Sequence, residues 1–576
     1  MTNAATHRQI PFDVFIYDAL QGDGVGKPRP IAHSITRNFR VIRLIDWFVA
    51  LPWRVLRQRF VLLPFLIAAI LVASGDPRAQ ARPFDLLTAG IADIQAAVDA
   101  GALTYERLVG LYLKRIEAYD KQGPSLRAVL AINPRAAEIA RALDEERKTS
   151  GRRSLLHGIP VAVKDNIDTV GMPTTGGNAV FANSHAASDA TVIQRLRDAG
   201  AIIFIKTNMD EMAQATVGLS TVGGQILNPY DLTRGPGGSS GGTGVAVAAG
   251  FATVGLGTET GVSVRSPASN NMLVGIVPSR GLVSRAGVIP ISFTQDRIGP
   301  LAKTVADAAI LLTHMRGFDA DDLTTTENFA RPVPDYTLSP STGLRGKRVG
   351  VLRDMFRKGD VVAAGNAQIE KQLELLRAQG ALVVDGLTTG IDLLGFMPTL
   401  RVNSYELQPA VDSYLRRRGP ASPVKTFAEL YNSGKWLKGG ILETRFHETM
   451  KAGNLETNAD YQSRLANQRM VRDLLIAAMD RAGVDALLYP MKPLGAPKAG
   501  SADDGPRDNS ISAVAGLPAI VVPAGFDAEG LPLAMEILGR PFSETTLLQL
   551  AHSYEQASRH RVPPKSTPAL PGEKIQ

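Results

Sequence analysis

The chain has 576 residues, 44% of them hydrophobic, with 63 Lys and Arg against 55 Asp and Glu and a formal charge of +8. That length and apolar content can bury a large core, and the modest charge, with no basic stripe interleaved with aromatics, argues against nucleic acid as a partner. Cysteine is absent, which removes cysteine-nucleophile hydrolases, thiolate zinc sites and any disulfide framework.

Residues 60–73, Phe-Val-Leu-Leu-Pro-Phe-Leu-Ile-Ala-Ala-Ile-Leu-Val-Ala, form an uncharged run behind Arg54, Arg57 and Arg59 and ahead of Ala79-Gln-Ala81. A basic flank, an apolar segment and an A-x-A site are the three parts of a secretory signal peptide. The run is short of the roughly 20 apolar residues that span a bilayer. Residues 1–81 therefore read as an N-terminal extension cleaved after Ala81 on export, with an uncleaved membrane anchor as the alternative. The run lies far inside the chain, behind a polar segment with no internal methionine, so translation is expected to begin near Val49 or Val55.

Beyond Ala81, helical patterns cover residues 91–100 and 104–121, where Leu108, Leu111, Leu113 and Ile116 recur near helical spacing. A strand at 128–132, a helix at 135–148 and a buried strand at 159–163 follow. Helix 191–199 leads to strand 202–205, and helix 244–250 to strand 253–256. Further on come a strand at 344–352, a helix at 367–379 and a strand at 381–384. Residues 388–485 lack this alternation and carry polar helices such as 467–482. Strands at 486–490 and 519–523 and a closing helix at 544–557 complete the pattern, and residues 565–576, rich in proline and charge, read as a loose tail. Short apolar strands alternating with amphipathic helices imply an α/β fold with a mostly parallel sheet covered on both faces.

Three segments carry the chemistry: 157–166, His-Gly-Ile-Pro-Val-Ala-Val-Lys-Asp-Asn; 237–242, Gly-Gly-Ser-Ser-Gly-Gly; and 257–267, Gly-Thr-Glu-Thr-Gly-Val-Ser-Val-Arg-Ser-Pro. Together they supply a lysine and two serines, the parts of a nucleophile activated without histidine. The glycine-rich run is no phosphate loop, because no Gly-Lys-Ser/Thr follows it. His157 is most simply a turn residue bonded to backbone. In His447-Glu448-Thr-Met-Lys451 a lysine stands where a metallohydrolase needs its second histidine, so no catalytic metal is expected.

The three segments resemble the signature region of the amidase signature family, serine hydrolases that use a Ser-Ser-Lys triad on amide bonds. The resemblance implies that Lys164 is the base, Ser239 the bridging serine on a cis peptide, and Ser263, 24 residues further on, the acyl-forming nucleophile. It places the oxyanion donors at the backbone N–H groups of Thr260, Gly261, Val262 and Ser263, with Glu259 and Arg265 as scaffold. Val262 stands where glycine is usual in the family, keeping the N–H but giving up positive φ. One large α/β domain is implied over residues 82–564, with a signature core at 157–300 and a variable region at 388–485 that shapes the pocket mouth. Ser240, Gln295 and Asp296 are the candidate pocket residues, a helix cap being the alternative for Asp296. No cofactor is implied.

Segment 281–300 looks closest to secreted bacterial peptide amidases, which release ammonia from peptide C-terminal amides. The expected substrate is accordingly a peptide amide or another small carboxamide. An aryl acylamidase or carbamate hydrolase is the first alternative, and the A-type transferase subunit of a tRNA-dependent amidotransferase the second. Contact with a membrane is expected only through an uncleaved N-terminal segment, and assembly as a homodimer is left open.

Overall fold

The apolar runs of the sequence become the strands of one large sheet. In the computed structural model, residues 84–575 are described apart from 330, 332–333, 338–342 and 502–508. The apolar run 60–73, the Ala79-Gln-Ala81 site and the expected start near Val49 or Val55 lie outside the described residues. Those that are described belong to one compact unit, Arg82–Gln576, and among them no helix is long and apolar enough to cross a membrane.

The sheet has eleven strands. In chain order they are β1 (Val129–Ile132), β2 (Pro160–Lys164), β3 (Ile202–Thr207), β4 (Val254–Glu259), β5 (Val274–Val277), β6 (Arg297–Ala302), β7 (Arg348–Leu352), β8 (Leu382–Leu387), β9 (Ala486–Pro490), β10 (Ala519–Phe526) and β11 (Pro532–Leu538). Their order across the sheet is β8-β7-β9-β11-β10-β5-β6-β4-β2-β3-β1. Strands β2, β3, β4, β5 and β6 are buried along their whole length, as strands covered on both faces must be.

The α/β class with a mixed sheet and flanking helices is as expected. The expectation that the sheet is mostly parallel is corrected. Parallel pairing is confined to β3-β2-β4 and β8-β7-β9, and the six other pairs are antiparallel. Five of those six involve β5, β6 and β11, which are not among the expected strands and insert into the centre, and the sixth is the edge pair β1-β3. Strand β6 threads between β4 and β5 through Gly299, where a Cβ would sit 1.9 Å from the Ile276 carbonyl oxygen. Only glycine permits that approach.

Residues 388–485 are helical, as expected, with helices Asn403–Arg418, Gly440–Lys451 and Ala459–Ala482. The last is capped by Asn458, which accepts from the Tyr461 N–H, and closed by Gly483 in the left-handed conformation. The loose tail at 565–576 is also corrected. Lys574–Ile575 pairs antiparallel with Phe84–Asp85, and the buried Glu573 carboxylate meets Arg115 at 2.8 Å. Proline and charge made this segment read as solvated, whereas a long-range buried ion pair holds it.

Candidate active site

Strands β2 and β4 lie side by side and parallel, so residues at their C-terminal ends come together. Lys164 is the last residue of β2 and is fully buried. Its Nζ lies 2.7 Å from Ser239 Oγ, 2.8 Å from Thr258 Oγ1 and 3.2 Å from the Thr258 carbonyl oxygen. Asn166 Nδ2 donates to the same Thr258 Oγ1 at 3.0 Å. Burial in this dry core pushes the lysine down to about 7, against the pull of the Asp210, Asp296 and Glu259 carboxylates in the other direction.

The Gly-Gly-Ser-Ser-Gly-Gly run opens helix Gly241–Ala248, and the Gly238–Ser239 peptide is cis, as the resemblance implies. Glycine is required at 238, where a Cβ would fall 1.8 Å from Asp210 Oδ2 and 2.9 Å from Thr216 Cα. Asp210 ties this loop down: its N–H donates to the Ser239 carbonyl at 3.2 Å, and its Oδ1 accepts from the amides of Val217 and Gly218. Burial lifts its carboxyl to about 6.

Ser263 follows the end of β4 in the turn before helix Arg265–Asn270. The Ser240 N–H donates to the Ser263 carbonyl at 3.2 Å, joining the two serine segments, and Ser263 retains 7% exposure. The turn hangs on a buried ion network. Arg265 Nε meets Glu259 at 2.8 Å and its Nη1 meets Glu536 at 2.7 Å, while its Nη2 donates to the Gly261 carbonyl at 2.6 Å. Arg265 and Glu259 thus hold the scaffold role expected of them. Among the described residues, the amides of Gly261, Val262 and Ser263 donate to no protein acceptor. Val262 has no positive φ, and its side chain packs with Val247, Val264, Leu273 and Leu301, so replacing the usual glycine costs the turn nothing in backbone conformation.

A cavity of about 520 Å³ adjoins this centre, bordered near it by Asn166, Thr258, Thr260, Asp296 and Ala213. Lys164, Ser239 and Ser263 do not border it, so it reaches the site from the Thr258 side. Of the expected pocket residues, Asp296 borders this cavity. Ser240 and Gln295 do not: Ser240 Oγ donates to the Thr258 carbonyl, and Gln295 is buried and bonded at both ends. Nor does Asp296 cap a helix; its Oδ2 accepts from the amides of Ile291 and Ser292. His157 is buried, with Nε2 2.9 Å from the Leu143 carbonyl and Nδ1 accepting from the Arg153 N–H, a backbone-bonded turn residue as expected.

Thr258, Asn166, Asp210 and Glu536 enter the site although the sequence reading gave them no part. Thr258 and Asn166 stand inside the quoted motifs and were legible there; Asp210 and Glu536 arrive through tertiary packing and left no local signal.

The family model described as Amidase matches residues 107–548. A protein of Arabidopsis thaliana described as a probable amidase is 34% identical over 87% of this chain and 96% of its own length. The A-type subunit of the Glutamyl-tRNA(Gln) amidotransferase of an Anaeromyxobacter species is 35% identical over 82% of this chain and 96% of its own. The solved structure of a native peptide amidase from Stenotrophomonas maltophilia superposes with a TM-score of 0.75 at 36% identity, covering 82% of this chain and 98% of that one.

Proposed function

This chain belongs to the amidase family, and on that premise we propose that it is a serine hydrolase that cleaves carboxamides through an acyl-enzyme on Ser263. The observation that carries this reading is a fully buried lysine, lowered to about 7, in contact with a serine hydroxyl. An amide is a poor electrophile and a serine hydroxyl a poor nucleophile, so the site must both remove a proton and stabilise the oxyanion.

In the proposed scheme neutral Lys164 takes the proton of Ser239, which takes that of Ser263 as Ser263 attacks the carbonyl carbon. The geometry suits a neutral amine: its two N–H bonds can point at the two Thr258 oxygens, leaving the lone pair for Ser239. The shift from 10.5 to about 7 raises the neutral fraction at pH 7 from roughly 3 in 10,000 to about half. The amides of the 260–263 turn receive the oxyanion, and removing one such donor typically raises the barrier by about 2.7–4 kcal/mol. Ser239 returns the proton to the leaving nitrogen. Water then repeats the sequence on the acyl-enzyme, with Lys164 and Ser239 again moving the proton.

Peptide C-terminal amides are the proposed substrates, supported by the likeness to the Stenotrophomonas peptide amidase and by segment 281–300. Ammonia released from a panel of such amides, with Ser263→Ala as control, tests the reading. Serine-dependent ammonia supports it, and turnover of anilides or carbamates alone would replace it with the acylamidase alternative. Identity to the A-type subunits of amidotransferases favours a second reading, as a component of a tRNA-dependent amidotransferase. Export with cleavage after Ala81 is also proposed, on the signal-like segment 60–81. It argues against the amidotransferase, whose tRNA is cytoplasmic, and peptides from residues 10–40 in mature protein would refute it.

A further inference from the structure

The loop near the end of the signature core, residues 291–296, touches the turn before Ser263 on one side and the variable helices on the other. On the inner side Gln295 Nε2 donates to the Thr260 carbonyl at 2.8 Å, and the Thr260 hydroxyl donates to Asp296. On the outer side Gln295 Oε1 accepts from Gln468 Nε2 at 3.2 Å and from the Val402 N–H at 3.4 Å. Gln468 sits on helix Ala459–Ala482 and donates a second bond, at 2.7 Å, to the Leu400 carbonyl. Glu406 on helix Asn403–Arg418 is fully buried; it accepts from Ser292 Oγ, from the Thr294 N–H and hydroxyl, and from Tyr461 OH at 2.7 Å.

The carbonyl that Gln295 holds shares a peptide plane with the Gly261 N–H. A trans peptide is rigid, with C=O and N–H pointing in opposite directions, so fixing the Thr260 oxygen fixes the direction of the Gly261 hydrogen. A hydrogen bond at the carbonyl also polarises the amide and strengthens its donor. Arg265 does the same one plane later, holding the Gly261 carbonyl and thereby the Val262 N–H. The difference lies in what stands behind each strut. Arg265 is fastened to Glu259 and Glu536 in strands β4 and β11, whereas Gln295 is fastened to the variable region.

We infer that Gln295, oriented by Gln468, is a positioning residue that aims the Gly261 N–H at the oxyanion, so that the variable region governs the rate of the chemical step as well as the shape of the pocket. This rests on the proposed acyl-enzyme mechanism. Gln295 makes no contact with substrate in this role. The second bond of its amide leaves a terminal oxygen that only donors can satisfy, and Gln468 and Val402 supply them, which fixes the amide with its NH2 toward Thr260.

The test is steady-state kinetics of the full chain on an amide substrate, with three single variants and the Gln295→Leu/Gln468→Leu double variant. Gln295→Leu removes both bonds, Gln295→Glu keeps the acceptor for Gln468 and Val402 but cannot donate to Thr260, and Gln468→Leu removes only the brace. Losing an oxyanion donor outright lowers kcat by about 10²–10³, and misdirecting one should lower it by roughly 10–100-fold. Gln295→Leu and Gln295→Glu should both show that loss with KM unchanged. Both should bind a boronic acid, which forms a tetrahedral adduct at serine, more weakly by the same factor. Gln468→Leu should lose less, and the double variant should lose no more than Gln295→Leu alone.

An unchanged kcat in either Gln295 variant with a native melting transition overturns the inference. So does a fall in kcat matched by a rise in KM, or boronate affinity equal to wild type. If Gln295→Leu fails to fold, Gln295→Glu and Gln468→Leu carry the same decision. Wild-type turnover that survives Ser263→Ala sinks the mechanism instead, which separates the two failures.

Discussion

Lowering the pH should switch the enzyme off through Lys164, and the size of the effect follows from its surroundings. Burial disfavours the charged form and sets the group at about 7; the protonated lysine has no lone pair for Ser239, so activity is present above that value and is lost as pH falls through it. For a neutral amide substrate, kcat/KM at pH 5 should be about 50-fold below its value at pH 7, and at pH 9 about twofold above it. Asp210, the nearest carboxylate in effect, pulls the lysine upward. Asp210→Asn should therefore move the acid limb to lower pH. Initial rates from pH 5 to 9 in constant ionic strength give the limb directly. A limb centred near 4, the range of a carboxylate base, or one near the ordinary lysine value of 10.5, would refute the role assigned to Lys164. So would an Asp210→Asn limb displaced to higher pH.

Lys164→Ala should retain only trace turnover while keeping its melting transition, since replacing a buried amine removes a desolvated group; activity within tenfold of wild type would contradict the assignment. Arg265→Met leaves the Glu536 carboxylate buried without its cation and Glu259 with only Arg297, 3.6 Å away, and should destabilise by about 3–5 kcal/mol, measured by denaturant unfolding. Glu573→Ala strips the buried Arg115 of its partner and should cost a similar amount, about 3 kcal/mol, although residue 573 lies near the chain end; a change below about 0.5 kcal/mol would restore the reading of that segment as a loose tail.

The site was more legible in the sequence than the sheet was. Lys164, Ser239 and Ser263 stand in glycine-flanked motifs, and the fold brings Lys164 onto Thr258 because β2 and β4 are adjacent, while the loop that opens helix Gly241–Ala248 delivers Ser239 to the same amine. The central strands were not legible for a physical reason. Val274–Val277 is four residues long and is interrupted by Gly275, and Arg297–Ala302 contains Gly299 and Pro300; glycine and proline inside a short run read as turn signals. Their antiparallel insertion is a matter of tertiary fit. The terminal segment misled for the opposite reason, because its composition is that of a solvated tail while Glu573 finds Arg115 far back in the chain. Val262 shows the converse: the missing glycine looked like a conformational problem, and the turn turned out to need no positive φ there.

Gln295 illustrates how a motif can be placed correctly and its role misread. Proximity to the site was legible from the motif; that its amide faces a backbone carbonyl and a second glutamine, 173 residues further on, was not.

The central claim is that Ser263 is the residue acylated. Treating the protein with a fluorophosphonate, which phosphonylates activated serines, and mapping the adduct by mass spectrometry tests it most directly. The account predicts one modification per chain, on Ser263, absent in Ser263→Ala and slowed in Lys164→Ala. Labelling of Ser239 or Ser240 in its place, or a rate unaffected by Lys164→Ala, would contradict it.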